Sequence, residues 1–357
     1  MKSYTDSVVY TYTVPNSSFT VSVTPQSRIN TLATDIRTLI DWGSAGSISR
    51  FRFLHPAPAV PDFVPAWLVD LSDMFNGCQG FNQDISSWDV SKVTNMARML
   101  RECRSLSANI NGWNVGNVKN MSGMLSMTSS MNGSLADWNV SKVEDMSYMF
   151  YDANFGYGAD LKLANWDVGN VKNMAGMFKN LYNFNADLSA WDVSNVEDMQ
   201  SMFENNHALF KADAGDGYWS LTGWNVGNVR NMSRMFFECY EGVPSDISRW
   251  NVSNVEDMSY MFSKCYKMGH LTFWNVGKVR NMEGMFKGSY QFNSDISNWN
   301  VSNVRNMDNM LNGCVPFVAD LKKWCVQHIA SEPSGMFTGV DYLPDANKPV
   351  WGTCPTL

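Results

Sequence analysis

The chain has 357 residues, 45% of them hydrophobic and 17% charged, with a formal net charge of −7 at pH 7. That balance suits a folded protein and leaves no basic footprint for DNA or RNA, so nucleic acid is not expected as a partner. The opening MKSYTDSVVYTYTV alternates polar with apolar residues and no later run reaches about 18 apolar residues, so neither a secretory signal nor a membrane-inserting segment is read here.

Residues 1–62 do not repeat. Val8 to Val14 and Phe19 to Val23 are rich in β-branched and aromatic residues around Pro15-Asn16-Ser17, which predicts a hairpin. Ile29 to Trp42 carries Leu32, Ile36, Leu39 and Ile40 at helical spacing with Gly43 as a stop, which predicts a helix. Phe51 and Phe53 predict another short strand. The region is read as a cap on a repeat array, with a docking module as the alternative.

A repeat fills residues 63–330. Trp stands at 88, 113, 138, 166, 191, 224, 250, 274, 299 and 324, a spacing near 25 that stretches to 28 before Trp166 and to 33 before Trp224. The period predicts an α/β solenoid of leucine-rich-repeat-like coils, each a short parallel strand plus a short helix, closed by a C-terminal cap at 331–357. In Leu188-Ser189-Ala190-Trp191-Asp192-Val193, Trp191 and Val193 are expected to face the core and Asp192 the solvent, because side chains alternate along a strand. Val196, Met199, Met202 and Phe203 recur at three and four residues and predict the helix, with Ser194 as N-cap and Glu197 completing a capping box. Met recurs at core spacing without a His or Cys cluster, which makes it a gap filler and not a copper ligand.

Four columns run through the repeats. The residue after the strand alternates Ser and Gly from Ser91 to Ser302, and three places later Lys119, Glu144, Lys172, Glu197, Arg230, Glu256 and Arg280 alternate in charge. Opposite charges are therefore expected on neighbouring coils, where they set register. Asp89, Asn114, Asn139, Asp167, Asp192, Asn225, Asn251, Asn275 and Asn300 form an outer column expected to hydrogen-bond from coil to coil. Cys78, Cys103, Cys239, Cys265 and Cys314 share one position, which reads as a small buried hydrophobe.

The stretch FNQDISSWDVSKVTNM at 81–96, echoed by FNADLSAWDVSNVEDMQSMF and FNSDISNWNVSNVRNM, resembles the BspA-like leucine-rich-repeat surface proteins of bacteria, mycoplasmas, some protists and bacteriophages. The resemblance covers about residues 63–330 and implies an attachment or surface-interaction protein and not an enzyme. The segments around Trp324 to Pro333 and Pro349 to Pro355 look like the closing part of phage and marine bacterial members. Cellular members carry an export signal, and its absence implies a bacteriophage virion protein made in the host cytoplasm and exposed on the particle. A decoration or spacer among other virion subunits and a cellular adhesin whose signal has been removed are the alternatives.

No catalytic, metal or cofactor motif is read; His55, His207, His270 and His328 fall in unrelated contexts. Binding candidates lie where the repeat is interrupted. Phe155 and Tyr157 sit in the first insertion, and Asp213, Asp216, Tyr218 and Trp219 in the second, where loop aromatics suit stacking on sugars or anchoring an interface. Arg249 and Phe273 occupy the outer position just before a Trp. The partners expected are a host surface glycan or protein, or other virion proteins, with a homo-oligomer on the particle. Cys325 takes the outward Asp/Asn place and Cys354 lies on the tail, so the two are a candidate disulfide, with free thiols as the alternative.

Overall fold

A computed structural model of the chain describes residues 60, 62–129, 133–155, 161–181, 186–206, 221–240, 242–243 and 245–355, together with the backbone of four strands before them. β1 (Val8–Val14) and β2 (Ser17–Thr24) form an antiparallel hairpin with Val8 opposite Val23 and Val14 opposite Ser17. β3 (Ala33–Ile36) pairs antiparallel to β2, and β4 (Arg50–Phe53) pairs parallel to β3, so the sheet order is β1-β2-β3-β4. β3 replaces the central part of the helix expected over Ile29 to Trp42. A strand between two others satisfies its amides across both edges, and that pairing overrides a periodicity of four apolar residues.

The chain divides into two compact units, Met1–Lys162 and Leu163–Leu357. Within each, successive repeats are hydrogen-bonded to one another. Single parallel bridges join Asp70 to Asn95, Asn95 to Asn120 and Asn120 to Asp145 in the first unit, and run from Asn173 through Asp198, Asn231, Asp257 and Asn281 to Asn306 in the second.

The helix and the extended strand expected in each repeat are corrected by this backbone. Among the described residues the repeats contain no α-helix; they are runs of turns. In the 191–206 repeat, Met199, Ser201, Phe203 and Asn205 donate their amides to Asn231, Ser233, Met235 and Phe237 of the next repeat, at 3.0, 2.8, 2.9 and 2.7 Å. The intervening amides of Met202, Glu204 and Asn206 donate to the carbonyls three residues back, at 3.1–3.2 Å. A helix would turn all of these donors along its own axis and leave nothing for the neighbour. The alternation places two residues per repeat in the left-handed region, such as Ser201 (φ 55) and Asn205 (φ 56), or Arg234 (φ 57) and Glu238 (φ 59). Each non-glycine there costs on the order of 1 kcal/mol. Glycine takes the place at Gly284 (φ +55), where a Cβ would stand 2.4 Å from Cε1 of Tyr260.

The facing of the motif nevertheless follows the sequence reading. Trp191 and Val193 are buried and Asp192 is exposed. Met199, Met202 and Phe203 point to the same core, because residues three apart share a face in a run of turns as they do in a helix. Phe178, Phe203, Phe236, Phe262 and Phe286 stack in sequence with centroids 5.7–5.8 Å apart. Within the second unit, Trp indoles also tie a repeat to the one before: the indole of Trp191 donates to Leu163 O at 3.0 Å, Trp224 to Leu188 O at 2.9 Å and Trp250 to Leu221 O at 3.1 Å.

Ser194 does not cap a helix. The Asp192 side chain accepts from the Ser194 amide at 3.0 Å, closing an Asx turn, and the same bond recurs at Asp89, Asn139, Asn251 and Asn300. The side-chain ladder between repeats lies three residues past the Asp/Asn column instead. Asn195, Asn228, Asn254 and Asn303 donate Nδ2 to the carbonyls of Gly169, Ser194, Gly227 and Gly277 at 2.6–2.7 Å.

The tail returns over the last repeat. Leu321 donates to Asn347 O, Val326 to Thr353 O and Gly352 to Ile329 O, each at 2.8 Å, and a disulfide joins Cys325 to Cys354. Lys348 holds the tail further, with Nζ 2.8 Å from Asp345 and 4.9 Å from the Phe337 ring.

Candidate functional site

The recurrent residues are spent on the core, so the sites must lie on the outward positions of the turns. The position before each Trp is exposed throughout the second unit, and it carries Asn165, Ala190, Gly223, Arg249, Phe273, Asn298 and Lys323. Arg249 closes the short 3-10 turn Ser245–Arg249. Phe273, on the next rung, is 87% exposed. The fold holds it there because Leu271 and Trp274 on either side are pinned inward, the Trp274 indole donating to Ile247 O at 3.0 Å.

Phe155 is a correction. It is buried, with its ring edge-on to Phe150 at 5.5 Å. It fills the place of Phe81 and Phe292, which stack on Phe75 and Phe286, so burial beside an existing ring outweighs display on a loop. Tyr157, Asp213, Asp216, Tyr218 and Trp219 lie outside the described residues.

Sequence reasoning missed a second outward column. Tyr240, Tyr266 and Tyr290 follow Cys239, Cys265 and Ser289 on consecutive repeats, with ring centroids 5.4 and 6.4 Å apart. Tyr266 is 41% and Tyr290 58% exposed. The signal was available: each stands directly after the recurrent small buried residue, and side-chain direction flips there.

That small residue also has a hydrogen-bonding role. The thiols of Cys103, Cys239, Cys265 and Cys314 donate to the carbonyls of Phe75, Phe203, Phe236 and Phe286, at 3.3, 3.2, 2.8 and 3.2 Å. Ser289 Oγ serves Phe262 O in the same way at 2.6 Å. Burial pushes the Cys239 thiol up to about 12, and the Cys103, Cys265 and Cys314 thiols rise for the same reason, which leaves them protonated and unreactive at neutral pH. Cys239→Ser keeps a donor for Phe203 O and Cys239→Ala removes it. The alanine variant is expected to be the less stable by about 1 kcal/mol in chemical denaturation. Equal midpoints would mean that the thiol bond contributes nothing.

Members of the alternating charge column meet in ion pairs. Arg230 lies 3.9 Å from Glu197 and Arg280 3.7 Å from Glu256, all four side chains being well exposed. Such pairs contribute about 0.2–1 kcal/mol each and act mainly on register. Glu197→Lys, which sets a third cation beside Lys172 and Arg230, is expected to lower the melting temperature more than Glu197→Gln does. Identical melting points would remove the charge column from the account.

Among the described residues, no group of three or more His, Cys, Asp or Glu is placed to hold a metal ion. Among the same residues, no helix is long and apolar enough to cross a membrane. A shallow polar depression in the first unit is lined by Asn82, Asp84, Ser86, Ser107, Ala108 and Asn109. Its polar groups are engaged with one another: Asn82 Oδ1 accepts from the Ser107 amide and hydroxyl at 2.8 Å, and Asp84 from the Ser86 amide at 2.9 Å.

Residues 60–160, 155–270 and 237–348 each match the model of the family described as "Mycoplasma protein of unknown function, DUF285". No curated protein and no solved structure matches the chain.

Proposed function

We infer that this chain, which belongs to the DUF285 family, is a BspA-like repeat solenoid and a non-enzymatic bacteriophage virion surface protein that serves host attachment or receptor binding. The supporting observation is the division of labour within the repeat. Its recurrent Trp, Val, Met and Phe are buried, while the positions that vary from repeat to repeat face solvent, with Phe273 fully displayed one rung from Arg249. An exposed aromatic ring held on a rigid face near a cation is suited to anchoring a partner. The partner in this reading is a host surface glycan or protein.

Purified chain in excess is expected to compete with particles for adsorption to host cells. Phe273→Ala should weaken that competition at an unchanged melting temperature. Absence of competition, together with a location between other subunits of the particle, would exclude attachment and leave a structural spacer.

A further inference from the structure

We propose that the ladder of Tyr240, Tyr266 and Tyr290 is a binding strip for a neutral, linear, β-linked hexopyranose polysaccharide. The proposal names the ligand class for the attachment reading and rests on it, while placing the contact on a different column from Phe273.

Backbone register builds the strip. Cys265 Sγ donates to Phe236 O and Ser289 Oγ to Phe262 O, so the residue before each exposed tyrosine is locked inward against the preceding repeat. The tyrosine that follows is turned outward on both of these rungs, at Tyr266 and Tyr290. The rings are tilted by 50° and 35° to one another, like overlapping shingles, so their outer parts are offered as a twisted track.

Three properties select the ligand. Tyrosine joins an apolar ring, which accepts the C–H face of a pyranose, to a hydroxyl that bonds with sugar hydroxyls. Lys264 beside the track is paired with Glu238 at 2.6 Å, and the chain as a whole carries −7, so a polyanion is disfavoured. The ring also recurs on three consecutive repeats, so a ligand that itself repeats meets one rung after another and gains by multivalency. A globular partner fits poorly, since a stable protein interface takes about 800 Å² from each side and three partly buried tyrosines fall well short.

Cellohexaose and chitohexaose, titrated into the full chain by calorimetry, test this. At least one is expected to bind, and Tyr266→Ala or Tyr290→Ala should each weaken it about tenfold, the loss typical of one truncated aromatic anchor. Tyr342→Ala, which removes an exposed ring on the tail outside both columns, should leave hexaose affinity unchanged. Bound hexaose should also protect Tyr290 of the unaltered chain from nitration, a readout that does not depend on any variant folding. Binding of neither hexaose, or wild-type affinity in both tyrosine variants, overturns the proposal. Tyrosine variants that still compete fully for host cells would leave attachment standing and remove the strip from it. A chain that binds hexaose through Tyr266 but never competes on cells would do the reverse.

Discussion

Trp191→Ala is expected to destabilise the Leu163–Leu357 unit by about 3–5 kcal/mol, the range for emptying a large buried aromatic site. Three losses combine. The indole is nearly fully buried, stacked 6.4 Å from Trp166 at an interplanar angle of 3° and 5.9 Å from Phe178. Its N–H donates to Leu163 O, so truncation also strands a buried carbonyl, which costs about 1–3 kcal/mol if no water replaces the donor. Trp191→Phe separates the terms, because it retains a ring and loses only the hydrogen bond and part of the area. Unfolding of repeat proteins spreads between neighbours, so a single midpoint can hide a local break. Hydrogen exchange reads the effect directly: in Trp191→Ala the amides of Met199, Ser201 and Phe203, bonded to the following repeat, should exchange faster than those of Met282 and Gly284. Uniform exchange along the unit would refute a local clamp.

Glu204→Ala is expected to cost about 2–3 kcal/mol, below the usual range for breaking a buried pair because the cations left behind are partly hydrated. The carboxylate is buried between three repeats. Arg234 donates to it twice, at 3.0 and 2.7 Å, and Lys179 lies 3.1 Å away, with the side chains of Arg234 and Lys179 35% and 24% exposed. Burial pushes the Glu204 carboxyl up, but hydrogen bonds from Arg234, Ser201 and Lys179 outweigh it and hold the group below its ordinary value. A depressed folded pKa contributes stability that is complete above the unfolded value, roughly 4.3, and is lost as pH falls through the folded value beneath it. Glu204→Gln should therefore differ most from the wild type near neutrality and converge with it in acid. Parallel stability curves across that window would rule out the ion triad as the source.

The predictions differ in how much of their basis is visible in the chain itself. Trp191 could be assigned to the core from its recurrence alone, and its cost when removed follows from size. Glu204 could not: nothing at its position marks it, and its partners are 25 residues before and 30 residues after it. Phe155 misled for a related reason. An aromatic in an insertion looks displayed, and only the neighbouring Phe150 ring shows that it is packed.

By itself the sequence determined the repeat, its period, and which side of each turn faces inward, because apolar spacing records burial directly. It could not distinguish a helix from a run of turns. Both bring residues three apart to one face, and they differ only in where the intervening amides go. That was decided by the next repeat, whose carbonyls at Asn231, Ser233, Met235 and Phe237 lie within hydrogen-bonding reach of Met199, Ser201, Phe203 and Asn205. The tyrosine ladder belongs to the same class. Its rungs lie 24 to 26 residues apart in sequence, yet their rings stand 5.4 and 6.4 Å apart once the repeats are hydrogen-bonded in register.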